Sequence, residues 1–239
     1  MSDANTALPG LPARLEAVWL QSAQAGSPMP GEPALAERLA ASRPAVREAL
    51  VRLEERGYIR RRKGADTIIN RRLLDVSARI DEQVDRSELI ASTGRRASMV
   101  VVESRLDVPT SEERTQYELE PDSRLLRTTK VWFADDEPVI RANDSIVLPP
   151  GAAAQIDATR PVFDIAADVG VGPTEWEIVY PSATATSPRD ARLLDLPEGH
   201  PALTMEVVGV ARSGRTAYWA SELHSTHNFQ HTMIRLVRR

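Results

Sequence analysis

An α+β chain in two parts is predicted by three observations. Residues 28–70 read as helix, tight turn, helix and basic hairpin. Residues 95–239 carry several strand-like apolar runs, two of them folded into long hairpins, with short helical stretches between. Charge divides along the same line: residues 1–72 hold 12 Lys/Arg against 8 Asp/Glu, a net of +4, and residues 73–239 hold 18 against 26, a net of −8. The expected architecture is a winged helix-turn-helix over 1–72, a charged linker over 73–94, and a mixed α/β domain with an antiparallel sheet over 95–239. At 239 residues the chain has room for a small domain of about 70 residues and a larger one of about 165.

The first part begins with a short amphipathic helix over 11–23, whose Leu11, Leu15, Val18 and Trp19 would pack under the helix that follows the turn. Residues 34–39 have helical apolar spacing, and Ala40-Ala41-Ser42 makes the break. Ser42 is a good N-cap, Pro44 fits the first turn, and Glu48 lies near the positive end of the helix dipole. Val46, Leu50 and Leu53 recur at spacings of three and four and face inward, leaving Arg43, Arg47, Arg52 and Arg56 on the opposite face. Gly57 stops the helix as a C′ residue. A strand over 58–60, a turn at Lys63-Gly64 and a returning strand over 67–69 form the basic hairpin. A helix with one apolar and one arginine face, followed by such a hairpin, is built to dock on DNA.

In the second part, strands are expected at 99–106, 125–133, 138–148, 175–180, 202–211, 216–223 and 233–237, and helices at 110–117, 162–169 and 187–194. Gly170 ends the second of these helices, and Ser187 caps the third with Pro188 at its first position. The hairpins around Asp135–Glu137 and Ser213-Gly214 look like a diverged repeat. Val131–Asp135 aligns with Val208–Arg212, and with one residue inserted Pro138–Ala142 aligns with Thr216–Ala220.

Composition excludes several chemistries. With no cysteine there are no disulfides, thiolate nucleophiles or zinc–thiolate sites. No run approaches 18 apolar residues and the first residues lack a basic-then-apolar signal, so a soluble cytoplasmic protein without membrane partners is expected. His224, His227 and His231 are spaced by three and four, but they follow a strand and have only Glu222 as an acid companion, so no metal site is read there. No cofactor is expected.

The stretch 28–70 resembles the GntR family of bacterial transcription regulators. The resemblance is carried by Pro30-Gly31-Glu32, by Leu35-Ala36-Glu37 with Leu39, and by Ser42-Arg43 with Val46-Arg47-Glu48-Ala49-Leu50. It continues through Leu53-Glu54, Gly57-Tyr58-Ile59 and the wing Arg62-Lys63-Gly64. It implies DNA contacts from Glu32, Ser42, Arg43, Pro44, Ala45 and Arg47 around the start of the recognition helix, and from Arg62, Lys63 and Gly64 in the wing. Two departures stand out: Pro33 replaces a common arginine, and the wing reads Gly64-Ala65-Asp66-Thr67 in place of Gly-x-Gly-Thr. Each removes positive charge or adds negative charge near DNA, so the operator sequence does not transfer.

Residues 90–239 resemble the UTRA domain, the effector-binding part of the HutC-type branch of that family, related in fold to chorismate lyase. The carriers are the turn from Asp135 to Pro138, Leu193-Leu194 followed by Pro197, Gly199 and Pro201-Ala202-Leu203, and Ser221-Glu222. The resemblance implies a small molecule held beside the sheet, with Arg95, Ser98, Lys130, Trp132, Arg141, Trp219, Glu222 and His224 as candidate contacts. Where sugar-phosphate-binding members carry Arg-x-Arg, this chain has Lys130 and Trp132. Where they carry a carboxylate after the turn it has Ala142, and a C-terminal Tyr-Arg-Gly-Asp-Arg-like run is replaced by Asn228-Phe229-Gln230-His231-Thr232. One lysine in place of two arginines holds a doubly charged phosphate poorly. A less charged, aromatic effector suits these residues better.

The expected function is therefore a non-enzymatic, sequence-specific transcription regulator, a repressor by family habit, working as a homodimer on a palindromic double-stranded operator under the control of a small-molecule effector. The rivals are a lyase-like enzyme that acquired a basic head, and a DNA-binding protein whose effector site has decayed.

Overall fold

The computed structural model describes residues 10–62, 64–81, 85–152, 155–227, 229–235 and 237. The chain folds as two compact units. One runs to Asp81 and regains the segment from Thr232; the other spans Glu82–His231.

In the first unit, α1 (Leu11–Ala25), α2 (Glu32–Arg38) and α3 (Arg43–Glu55) surround a core of Leu15, Val18, Trp19, Leu35, Leu39, Val46, Leu50 and Leu53. Ser42 caps α3 as expected, its Oγ accepting from the Ala45 N–H at 3.3 Å. The end of α3 is closed by two reversed bonds. The Gly57 N–H donates to the Glu54 carbonyl and the Tyr58 N–H to that of Leu53, both at 3.0 Å, with Gly57 at φ 80°. That left-handed conformation favours a residue without a Cβ. The chain is thereby turned into β1 (Ile59–Arg60), which pairs antiparallel with β2 (Ile68–Ile69). A short 3-10 helix, Arg71–Asp75, leaves this hairpin. Residues 233–235 and 237 are not a strand, contrary to expectation. Thr232 makes a single parallel bridge with Arg79, and its N–H reaches the Ala78 carbonyl at 3.1 Å. The apolar residues there are interrupted by arginines and find no ladder to join.

The second unit is one six-stranded antiparallel sheet in the order β3-β4-β5-β8-β7-β6: β3 (Ala97–Asp107), β4 (Arg124–Ala134), β5 (Glu137–Leu148), β6 (Thr174–Ala185), β7 (Pro201–Ala211) and β8 (Thr216–Ser225). Helices α4 (Arg86–Ala91) and α6 (Val162–Val169) lie on one face; α5 (Ser111–Gln116) and α7 (Pro188–Leu194) lie on the other. Helix α4 falls in the stretch expected as linker, and its Leu89 and Ile90 are buried. Strand β6 outruns its expected end, because Pro181 is tolerated on an edge strand.

The aligned hairpins are equivalent in space. Strand, helix, strand, strand occurs twice (β3-α5-β4-β5 and β6-α7-β7-β8), and the two copies meet at the β5–β8 pair. The alignment that matches Pro138 with Thr216 also matches Asn143 with Ser221, and these two are direct partners across that seam. The pseudo-two-fold axis passes between them.

Candidate DNA and effector sites

The DNA candidates lie on the first residue of α2, the start of α3 and the wing. Ser42, Arg43, Pro44 and Arg47 are exposed and Ala45 is half-buried. Arg47 is held by Glu32, with Nη2 2.8 Å from Oε2 and Nε 3.2 Å from both carboxylate oxygens. These bonds, with the nearby charges of Arg61 and Arg43, hold the Glu32 carboxyl below the usual range. In the wing, Arg62 and Gly64 are exposed, and the space beside Gly64, at φ +75°, is open. Lys63 lies outside the described residues. The arginine face is less uniform than its spacing suggests. Arg52 pairs with Glu48 at 2.6 Å, while Arg56 turns back to Glu16 of α1 and lies 4.9 Å over the Tyr58 ring. Arg56 therefore ties α1 to α3.

Strand register sorts the effector candidates. Lys130 is the partner of Ala142, and Ala142 of Glu222, so Lys130 and Glu222 share one row across β4, β5 and β8. The next row runs Trp132, Ile140, His224. All four candidates thus project from one face, because side chains in a strand alternate. Arg141 and Trp219 occupy the intervening positions and belong to the opposite face. There Arg141 is held by Asp190 of α7, Nη2 to Oδ1 at 2.9 Å, and Trp219 stacks on Tyr117 with centroids 4.0 Å apart. Arg95 is occupied with the β4–β5 turn: its Nη2 donates to the Ala134 carbonyl at 2.6 Å and to Glu137 at 2.7 Å. It helps stabilise Asp135 and Asp136, whose φ angles of 49° and 73° make a tight turn without glycine. Ser98 is exposed on edge strand β3, opposite Phe133. The expected set is divided by the sheet.

The face holding Lys130 and Glu222 carries a buried ionic cluster that the sequence only half revealed. Lys130, 1 % exposed, donates to the Arg160 carbonyl at 2.8 Å and stands 3.8 Å from Asp144, which also accepts from Thr128 at 2.8 Å. Arg86 of α4 pairs with Glu222, and Glu222 accepts from His224 Nε2 at 2.9 Å. Burial lowers the Lys130 pKa, with Asp144 and Asp85 opposing. Burial also takes His224 to about 3, with Arg86 and Arg141 adding to the effect. The Glu222 carboxylate is already neutralised by Arg86, so the imidazole beside it stays uncharged. Asp144 and Arg86 went unread in the sequence. The repeat could have revealed Asp144, since extending the alignment by two residues matches it with Glu222; no comparable signal marks Arg86.

Asp85, Arg86, Lys130, Trp132, Asp144 and the first residues of α6, Pro161 to Phe163, line a pocket with only about 10 Å³ of free space, about one water molecule. A ligand larger than water must move side chains to enter.

Residues 15–69 match the gntR family of bacterial regulatory proteins, and residues 92–230 match the UTRA domain. A head of the first kind on a body of the second defines a DNA-binding transcription regulator with a ligand-binding effector domain. The chain belongs to the gntR family, in its UTRA-bearing, HutC-type branch. Solved structures of similar fold include YydK from Bacillus subtilis, 13% identical over 95% of this chain and 97% of its own, with a TM-score of 0.74. PhnF from Mycobacterium smegmatis is 17% identical over 96% and 100%, with a TM-score of 0.59. The effector domain of PhnF alone is 13% identical over 64% and 95%, with a TM-score of 0.56. No curated protein sequence matches the chain. Among the described residues no helix is long and apolar enough to cross a membrane.

Proposed function

We propose that this regulator is a cytoplasmic homodimeric repressor that reads a palindromic operator and is released by a small-molecule effector. Residues 1–72 serve as the reading head, 73–94 as the connector and 95–239 as the effector-binding and dimerisation part. Two heads on two half-sites about one helical turn apart multiply contacts that are weak singly. An effector that favours one placement of the heads draws the population away from the operator-binding state.

The observation that carries the effector reading is the small ionic pocket beside Lys130. Its two cations are already engaged, Lys130 by Asp144 and the Arg160 carbonyl, Arg86 by Glu222. A doubly charged phosphate would have to strip both, whereas Trp132 and Phe163 offer flat apolar walls. The reading is therefore a planar effector of low charge, held by Lys130, Trp132, Asp144 and Glu222. Arg141, Trp219 and Arg95 are engaged elsewhere and Ser98 is exposed on the edge strand β3, so these four leave the proposed contact set.

Binding without turnover fits the same cluster. His224 is neutral and locked onto a carboxylate that Arg86 occupies, so it is poorly placed as a general base. A thermal-shift screen of planar metabolites tests the reading. A ligand at 100 times its Kd adds about 2.7 kcal/mol of stability, and a hit should also weaken operator binding. Hits that stabilise the protein without altering operator affinity would contradict the regulatory role, and product formation would contradict the non-enzymatic one.

A further inference from the structure

Glu32 places a carboxylate on the face that meets an anionic polymer. It is the first residue of α2, and its partner Arg47 lies 15 residues on, at the fifth position of α3. The contact is two-pronged: Nη2 is 2.8 Å from Oε2, and Nε is 3.2 Å from both oxygens. It occupies the Nε edge of the guanidinium and leaves Nη1, with the outward hydrogen of Nη2, directed elsewhere. That remaining Nη1–Nη2 edge is the fork that matches O6 and N7 of a guanine in the major groove. Arg43 stands one turn earlier on α3, where residues four apart are neighbours. The hydrogen bonds from Arg47, with the charges of Arg47, Arg61 and Arg43, hold the Glu32 carboxyl below its usual range and favour its charged form.

A fixed negative charge among these arginines weakens attraction to phosphate, so its contribution must be orientation. Arg47 is 66% exposed, and without Glu32 its side chain would be free to swing to the nearest phosphate. We infer that Glu32 is a specificity-determining positioning residue, holding Arg47 so that its Nη1–Nη2 edge reads a guanine while subtracting about one phosphate contact from the head. This rests on α3 docking in the major groove as proposed above.

The experiment begins by selecting the preferred site of the full-length protein from random-sequence duplex DNA. Anisotropy titrations then compare wild type, Glu32→Gln, Arg47→Ala and the double variant on that site, on its single-base-pair variants and on an unrelated duplex, at three salt concentrations. Thermal melting confirms that each variant is folded. Glu32→Gln is expected to bind the unrelated duplex more tightly, with a log–log salt slope steeper by about one. Its preference at one G·C pair should fall about tenfold. Arg47→Ala should lose the same preference, with no further loss in the double variant. Unchanged slope and preference in Glu32→Gln would overturn the inference. So would a loss at a different base pair, or an additional loss in the double variant, since Glu32 would then be reading a base itself. A wild type that selects no site at all would remove the docking reading and this inference together.

Discussion

Arg43 and Arg47 are exposed on the first turns of a helix whose other face is buried in the core of the head. Changing either to alanine leaves that core intact and is expected to weaken operator binding by about 1–3 kcal/mol, measured by anisotropy at fixed salt. Wild-type affinity in both variants would contradict the docking of α3. In the body, Arg86 is the counter-ion of Glu222, whose side chain is 3% exposed. Removing one partner leaves the other charged and buried, so Arg86→Ala should lower unfolding stability by about 3–5 kcal/mol in urea titration. A change below about 1 kcal/mol would mean that water reaches Glu222. At this scale the sequence is legible where a charge interrupts an apolar pattern or fills a known motif, as with Arg47, Lys130 and Glu222. It is silent about Arg86. That residue lies in a charged stretch typical of a linker, and only the folded placement of α4 brings it to the sheet.

The seam between β5 and β8 shows what a whole element requires. Beside it on β7, Gly209 faces the ring of Tyr218, its cross-strand partner; a Cβ there would stand 2.4 Å from the ring, which is fully buried and hydrogen-bonded to Glu177. Gly209→Ala is therefore expected to cost about 1–3 kcal/mol through overpacking, read as a lower denaturation midpoint. An unchanged midpoint would show that the ring can shift. Strands and helices with strong local signals were legible: α6 runs from Val162 to Val169 as its periodicity and Gly170 indicate, and α7 begins at the Ser187 cap. Elements governed by their neighbours were not. Beyond Tyr180, β6 continues only because β7 lies beside it, and among the described residues after Thr232 no strand forms because no edge receives them. The side of the sheet on which each candidate falls was decided by register, which a single sequence does not contain.

At the scale of the whole molecule, buried histidines tie stability to pH. His224 and His231 are both lowered to about 3, chiefly by burial, and neither ring nitrogen of His231 has a hydrogen-bond partner among the described residues. The unfolded chain takes up these protons near pH 6.5. Between about 6.5 and 3 it therefore binds protons that the folded protein refuses, and stability falls as the pH drops through that window. The urea midpoint should be lower at pH 5 than at pH 7, and the difference should shrink in His231→Phe. A midpoint indifferent to pH would mean that the imidazoles are hydrated.

The division into a basic head and an acidic body was visible in charge and motif alone, and it sets the most direct test of the account. That test is an anisotropy titration of the purified protein against DNA from upstream of its own coding sequence, with unrelated duplex as competitor, at two salt concentrations. The expected result is tight binding of a dimer to one two-fold symmetric site, weakening steeply with salt. Weak binding that ignores sequence would contradict it.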